Sequence, residues 1–403
     1  MVERSIWGIA LIAFASSLSI ATSAYAQPAA VERVWPEPGN GEARHVIPLR
    51  SGGFALAGHR AEADETSSTF ITSVGRDGQV RWERRIKGNG GDIAFVIRQL
   101  ADGGFIIGGW TSDPGHGTDV LLIRTDSSGN LQWRRTIASA GSERITDLTL
   151  MPDGGFAMAG QTSTERDSLD AVVIHTDTAG TLKWRTIIGG AGNDRGFYIS
   201  ALDDGGVLMS GLTTTAPAQD ADMLVTRLDK DGTLIWRKAV GGPGYQTAHG
   251  MLREADGGQL LIGYGVTDTL TGNNGIAYRV NSNGDIGPPM RWGGNGDDRV
   301  LTGQIAHGDL FVTGYTRSFG AIDWALYVAR IAGDGKTKWM SLFDRAGAQA
   351  GNAIAVDNDK ILVVGYEDVG DTLRTRDVLT LLTDIDGLGL RPVLRNSMIA
   401  GDK

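Results

Sequence analysis

No cysteine occurs anywhere in the 403 residues. Disulfides are therefore excluded, even though an oxidising compartment would permit them, and so is the lipid attachment of a bacterial lipoprotein. Stability has to come from packing. Positive charge is also scarce. The 38 Lys and Arg against 47 Asp and Glu leave a formal net charge of −9, with no basic run to interrupt it. Nucleic acid and anionic lipid both need a basic footprint, so neither is expected as a partner. Beyond the first residues no apolar stretch is long enough to span a bilayer, so no membrane insertion is expected there. Helical periodicity is missing too, and with it any strand-to-helix elbow for a G-x-S-x-G nucleophile. The six histidines show no H-x-x-x-H or similar spacing, which argues against a zinc site.

The first segment reads as an export signal rather than as structure. Arg4 forms a thin basic start, Ile6 to Ile20 is apolar apart from small residues, and Ala24-Tyr25-Ala26 fits a small-x-small cleavage site before Gln27. Residues 1–26 are thus expected to be a signal peptide and 27–403 a single domain in the periplasm or outside the cell.

What the chain has in abundance is glycine, 59 of them, and they recur in register. A Gly pair, an apolar run and a further Gly return at Ser51-Gly52-Gly53-Phe54, Asp102-Gly103-Gly104-Phe105, Asp153-Gly154-Gly155-Phe156, Asp204-Gly205-Gly206-Val207 and Asp256-Gly257-Gly258-Gln259. Weaker copies stand at His307-Gly308-Asp309-Leu310 and Asn358-Asp359-Lys360-Ile361, so seven copies repeat with steps of 51 or 52 residues. One copy, residues 144–188, reads as four short strands separated by turns at Pro152-Asp153-Gly154-Gly155 and Asp177-Thr178-Ala179-Gly180 and by a polar loop at 161–170. Four antiparallel strands per roughly fifty residues make one blade of a β-propeller, and an even period favours a ring over two packed sandwiches. The predicted fold is all-β, a propeller of seven four-stranded antiparallel blades. The seventh unit lacks the expected Trp and an orphan Val34-Trp35 precedes the first blade, so residues near 31–36 are expected to close the last blade.

Trp82, Trp133, Trp184, Trp236 and Trp339 each follow a Gly by four residues, and Trp292 holds the matching strand in the fifth unit. So regular a series reads as wedges between neighbouring sheets rather than as a sugar-stacking platform.

The unit, as in Asp153-Gly154-Gly155-Phe156, Gly160, Asp170, Ile174, Asp177, Gly180, Trp184 and Gly189 to Asp194, resembles a family of secreted bacterial β-propeller repeat proteins over essentially all of 27–403. The Gly-Trp phrase is also similar to the tryptophan motifs of quinoprotein dehydrogenases and of the propeller that assists outer-membrane protein assembly. It departs from the quinoprotein pattern at Gly129-Asn130 and Gly180-Thr181, where Gly-Lys is the rule, and it lacks a cysteine pair for a quinone. The resemblance implies fold and export, carries no catalytic residue across, and implies a binding or surface module.

In a four-strand meander the first-to-second and third-to-fourth turns share one face, and the longer loops and blade connections share the other. Function on a rigid scaffold gathers in variable loops, so the long-loop face is the one to suspect. Asp92, Glu143, Asp194 and Asp297 stand eleven residues before a repeated Gly, with Gln246 in the fifth copy, and Asp119, Asp170, Asp222, Asp323 and Asp377 open the third strands. These carboxylates predict an acidic face suited to cationic or metal-bridged ligands. They also read as one backbone staple per blade, since catalytic groups break symmetry and these obey it. Asp229-Lys230-Asp231-Gly232 suggests a calcium loop but lacks the rest of the ligand ladder, so Ca²⁺ is the one ion worth testing and no cofactor is expected. The candidate ligand-binding residues are Asp92, Asp113, His116, Asp194, Tyr245, His249 and Asp297. The expected function is an exported, monomeric, non-enzymatic module binding an envelope protein or a glycan on the long-loop face. The alternative is a glycan-active hydrolase or lyase on the same scaffold.

Overall fold

The computed structural model describes residues 31–395 apart from residues 36–40, 65, 89, 113–116, 140, 164–167, 191, 215–219, 267–271, 282, 370–374 and 388–389. The segment read as a signal peptide, 1–26, lies outside the described residues. The described chain is all-β and forms seven antiparallel sheets, one per repeat. In the third blade the strands are Glu143–Leu150, Phe156–Ser163, Leu169–Thr176 and Leu182–Ile188, ordered from the ring centre outward. The Gly pair makes the first turn. Gly154 sits at φ 82°, Met151 and Gly155 close the loop with an N–H to carbonyl bond of 2.9 Å, and Asp153 accepts the Gly155 N–H at 2.9 Å. The second turn is an Asx turn in which Asp177 accepts from Ala179 and Thr181 at 2.9 and 2.8 Å.

Apolar residues of the second and third strands, such as Phe156, Met158, Val172 and Ile174, are fully buried between adjacent sheets. The tryptophans are part of this seam. The indole of Trp184 lies 2.7 Å from where a Cβ on Gly232 would stand, Trp133 meets Gly180 at 3.1 Å, and Trp339 meets Gly387 at 2.8 Å. Each of these glycines has positive φ and belongs to the turn of the next repeat. The Gly-x-x-x-Trp phrase is therefore a pair of partners on different blades: the Trp of one unit needs the Gly of the next. Trp184 is half-buried, and its N–H donates to the Lys230 carbonyl at 3.1 Å.

Ring closure follows the expectation. Val31–Trp35 pairs antiparallel with Thr375–Asp384, with Val31 opposite Leu382 and Trp35 opposite Val378, and completes the seventh blade. First and seventh blades also share an apolar cluster with Ala43, Phe54, Leu362 and Val364, and the Asp357 carboxylate accepts the Gly53 N–H at 2.7 Å.

One feature departs from seven equal blades. The C-terminal strand Arg391–Arg395 pairs with Thr337–Phe343 and gives the sixth blade a fifth strand. The outer strands differ at this edge. After its Trp, the outer strand carries Arg134, Arg185 or Arg237 in the second, third and fourth blades, each ion-paired to a carboxylate of its own innermost strand. The sixth blade has Met340 there, and Met340, Leu342 and Phe343 are buried. The added strand thus lies over an edge that carries Met340, Leu342 and Phe343 beside Lys338.

Candidate functional site

The repeated Gly of the second strand, Gly58, Gly109, Gly160, Gly211, Gly263, Gly314 and Gly365, has the same neighbour in every blade. A Cβ at any of the seven would collide with a carbonyl oxygen of its own innermost strand, those of Glu42, Ile93, Arg144, Arg195, Thr247, Arg299 and Ala350. The room left by the missing side chain lets that strand bulge. All seven innermost strands break register two residues later, leaving Arg44, Phe95, Thr146, Phe197, His249, Leu301 and Asn352 as the extra residues. A bulge re-aims a side chain, and these seven line one cavity of about 230 Å³ at the ring axis. All seven are half-buried. The bulges lie near the start of each innermost strand, hence toward the long-loop end of the channel.

The framework obeys sevenfold symmetry, whereas this ring does not. Arg44 lies 4.8 Å over the Phe95 ring and pairs with Glu42 at 2.7 Å. Thr146 Oγ1 donates to the Phe197 carbonyl at 2.9 Å, and the Asn352 amide to that of Ala43 at 3.0 Å. His249 is stacked between Phe197 and Tyr264 at 5.2 and 5.1 Å. Burial among these rings, helped by Arg299, lowers its pKa to about 4 and keeps it neutral. Beside the ring, Arg98 pairs with Asp147 at 2.7 Å and lies 3.0 Å from His45 Nε2, and Asp147 also accepts the Ile199 N–H at 3.0 Å. Burial pushes the Asp147 carboxyl up and, with Arg98 alongside, pulls His45 well down. Tyr198 donates across the channel to the Leu301 carbonyl at 2.9 Å, and burial raises its phenol pKa.

The sequence-selected residues fall in different places. Asp92 and Asp194 are buried, each clamped by an arginine of its own outer strand. Arg134 reaches Asp92 at 2.8 Å and Arg237 reaches Asp194 at 2.6 Å, as Arg185 reaches Glu143 at 3.0 Å. Arg237 also holds the Gly189 carbonyl at 3.0 Å, so the pair ties down the connection between blades. The expected negative field is thus met by arginines on the same face, among them Arg144 stacked 4.7 Å over Trp110. Asp297 is one residue out of register: Asp298 is the buried equivalent of Asp92, accepting from Thr316 and from Gly294 at 2.6 Å. The sixth blade turns through His307 and Gly308, both at positive φ, one residue shorter than the Asp-Gly-Gly turn, so counting eleven back from Gly308 lands one place early. Asp297 instead accepts the Asn273 backbone N–H at 2.9 Å. Tyr245 is exposed, 6.3 Å from Tyr264, and His249 alone among the described members of the selected set belongs to the channel ring. Asp113 and His116 lie outside the described residues. Asp229 caps its own turn, accepting from Asp231 and Thr233 at 2.9 and 2.8 Å, and no group of three potential metal ligands converges among the described residues.

The bulge ring escaped the sequence reading, although its signal is there. It is a position 13 or 14 residues before the second-strand Gly, with small or apolar residues on its N-terminal side and no two blades alike except at Phe95 and Phe197.

Fold and channel define a seven-bladed β-propeller with a chemically uneven central mouth. Among solved structures the chain is similar to the WD40 propeller domain of Doa1, with TM-score 0.56 and 12% identity, covering 89% of this chain and 97% of that one. It is also similar to the Neurospora crassa Pan2 WD40 domain, with TM-score 0.53 and 10% identity over 87% and 93% of the two chains. A puromycin hydrolase S511A mutant matches with TM-score 0.53 and 13% identity, over 89% of this chain and 55% of that one. Identities this low speak for the fold alone. No protein-family model matches the sequence, and no curated protein matches it.

Proposed function

We propose that the protein is an exported, non-enzymatic binding module that takes an envelope protein or glycan at the long-loop mouth of its central channel. The observation that carries this reading is the contrast between seven near-identical frameworks and the unequal ring Arg44, Phe95, Thr146, Phe197, His249, Leu301 and Asn352. Evenly repeated parts hold the ring together, and recognition needs the part that differs from blade to blade. Export rests on the composition of residues 1–26. The chemistry of the ring supports binding better than glycoside hydrolysis. Asp147 is the one carboxylate among the described lining residues, and Arg98 neutralises it, whereas hydrolysis takes two carboxyl groups across a sugar.

The test is a glycan panel probed with the protein and with Phe197→Ser, followed by hydrogen exchange with the best-bound glycan. Protection is expected in the innermost strands Gly91–Gln99, Asp194–Ala201 and Gln246–Arg253. Protection confined to the Asp-Gly-Gly turns of the opposite face would overturn the assignment.

A further inference from the structure

A second cavity of about 280 Å³ opens on the long-loop face between the sixth and seventh blades, lined by Arg299, Tyr315, Trp324, Tyr366, Asp368 and Arg376 among others. Arg299 stands apart from the other cations there. Its guanidinium lies 5.4 Å from the ring centre of Tyr264, 5.6 Å from that of Tyr315 and 5.5 Å from that of Trp324. Among the described residues its one hydrogen bond goes to the Tyr315 hydroxyl at 3.2 Å, and its Nε is buried with no hydrogen-bond partner there. It makes no ion pair with a carboxylate among the described residues. The charge of Asp297 reaches it through space without contact, because the backbone and side-chain N–H groups of Asn273 hold that carboxylate in place at 2.9 and 3.1 Å. The neighbouring cations are compensated: Arg376 by Asp368 at 3.3 Å and Arg317 by Asp323 at 3.4 Å.

A half-buried guanidinium among aromatic rings, with terminal N–H donors beyond the one given to Tyr315, is arranged to receive an anion. The charge balance sets which anion. Arg299 has no ion pair among the described residues, while the carboxylates of Asp297 and Asp368 keep the surroundings of the cleft partly negative, so a single negative charge is tolerated and a dianion is repelled. The aromatic side chains Tyr315, Trp324 and Tyr366 add apolar walls with polar tips, and the volume suits one sugar ring rather than an extended chain. We propose that this cleft binds a hydroxylated monocarboxylate, a uronic acid residue of a glycan, with its carboxylate on Arg299. The proposal rests on the reading above in taking the long-loop face as the binding face, but it concerns a different cavity.

The test is calorimetry of the protein with D-glucuronate, D-glucose and glucose 6-phosphate, repeated with Arg299→Met. Glucuronate is expected to bind at least about tenfold more tightly than either comparison sugar, and the Met variant to lose at least about tenfold in glucuronate affinity. Should the Met variant not fold, Arg299→Lys keeps the charge and removes the planar fork, and a several-fold loss is expected from it. Glucuronate binding no better than glucose, a 6-phosphate preferred over the carboxylate, or a folded Arg299 variant with unchanged affinity would each overturn the proposal. A glycan bound alike by wild type and Arg299→Met but lost in Phe197→Ser would leave the channel reading standing and remove this one. Glucuronate lost in Arg299→Met but held by Phe197→Ser, with no panel glycan dependent on Phe197, would do the reverse.

Discussion

The carbonyl oxygen of Arg195 occupies the space where a Cβ of residue 211 would stand, and the innermost strand of the fourth blade bulges at Phe197 because Gly211 leaves it free. Gly211→Ala is expected to force that strand flat or push it out of the sheet. The cost should be on the order of 2–3 kcal/mol, the upper part of the range for overpacking a dense interior. Equilibrium denaturation reads it directly, and Gly242→Ala, where a Cβ meets nothing within 4 Å, is the matched control. Equal midpoints for the two variants would show that the bulge does not depend on the missing side chain.

Trp184 links third and fourth blades through Gly232 and the Lys230 carbonyl. Because the indole is half-buried, Trp184→Ala should cost about 2–3 kcal/mol, below the ~3–5 kcal/mol of a fully enclosed aromatic. Gly232→Ala should destabilise as well, since its φ of 83° and the indole both oppose a side chain. The two losses should not sum in the double variant, because the residues share one interface. Additive losses would mean that they act separately.

Closure depends on a strand remote in sequence from its partner. Removing residues 27–40 takes Val31–Trp35 from the seventh blade and leaves Thr375–Asp384 as an open edge. The melting temperature should fall markedly and aggregation should rise. A truncated protein that melts with the intact one would show that the ring is held by side-chain packing between first and seventh blades alone.

His249 adds a pH dependence of known sign. Its pKa in the fold is lowered to about 4 from an ordinary value near 6.5, so the unfolded chain binds the proton first. The contribution of the neutral ring is complete above pH ~6.5 and is lost as the pH falls through ~4. The difference in melting temperature between wild type and His249→Gln should therefore shrink between roughly pH 6.5 and 4, while remaining level from pH 7 to 8. A difference that is flat across the acid range would place the imidazole in water.

Blade number, strand count per blade and ring closure were legible in the chain because the determinants are local and repeated. Asp-Gly-Gly turns set the first hairpin through positive φ, Asx turns set the second, and Val34-Trp35 supplied the strand that the last unit lacked. A defect in a regular period is easy to see. The carboxylate series was legible as a staple, but its partners were not. Asp194 and Arg237 are 43 residues apart, and only the sheet brings outer strand and inner strand over one connection. Tertiary structure alone decided the rest. A bulge follows from the contact of a Gly with a carbonyl 16 residues earlier, as with Gly211 and Arg195, and neither residue signals it in isolation. The channel ring exists because seven such bulges turn toward one axis, and Arg299 has no ion pair among the described residues because packing surrounds it with Tyr264, Tyr315 and Trp324 instead. Periodicity along the chain determines which strands form. Which side chains share a cavity depends on where the closed ring places strands from different repeats.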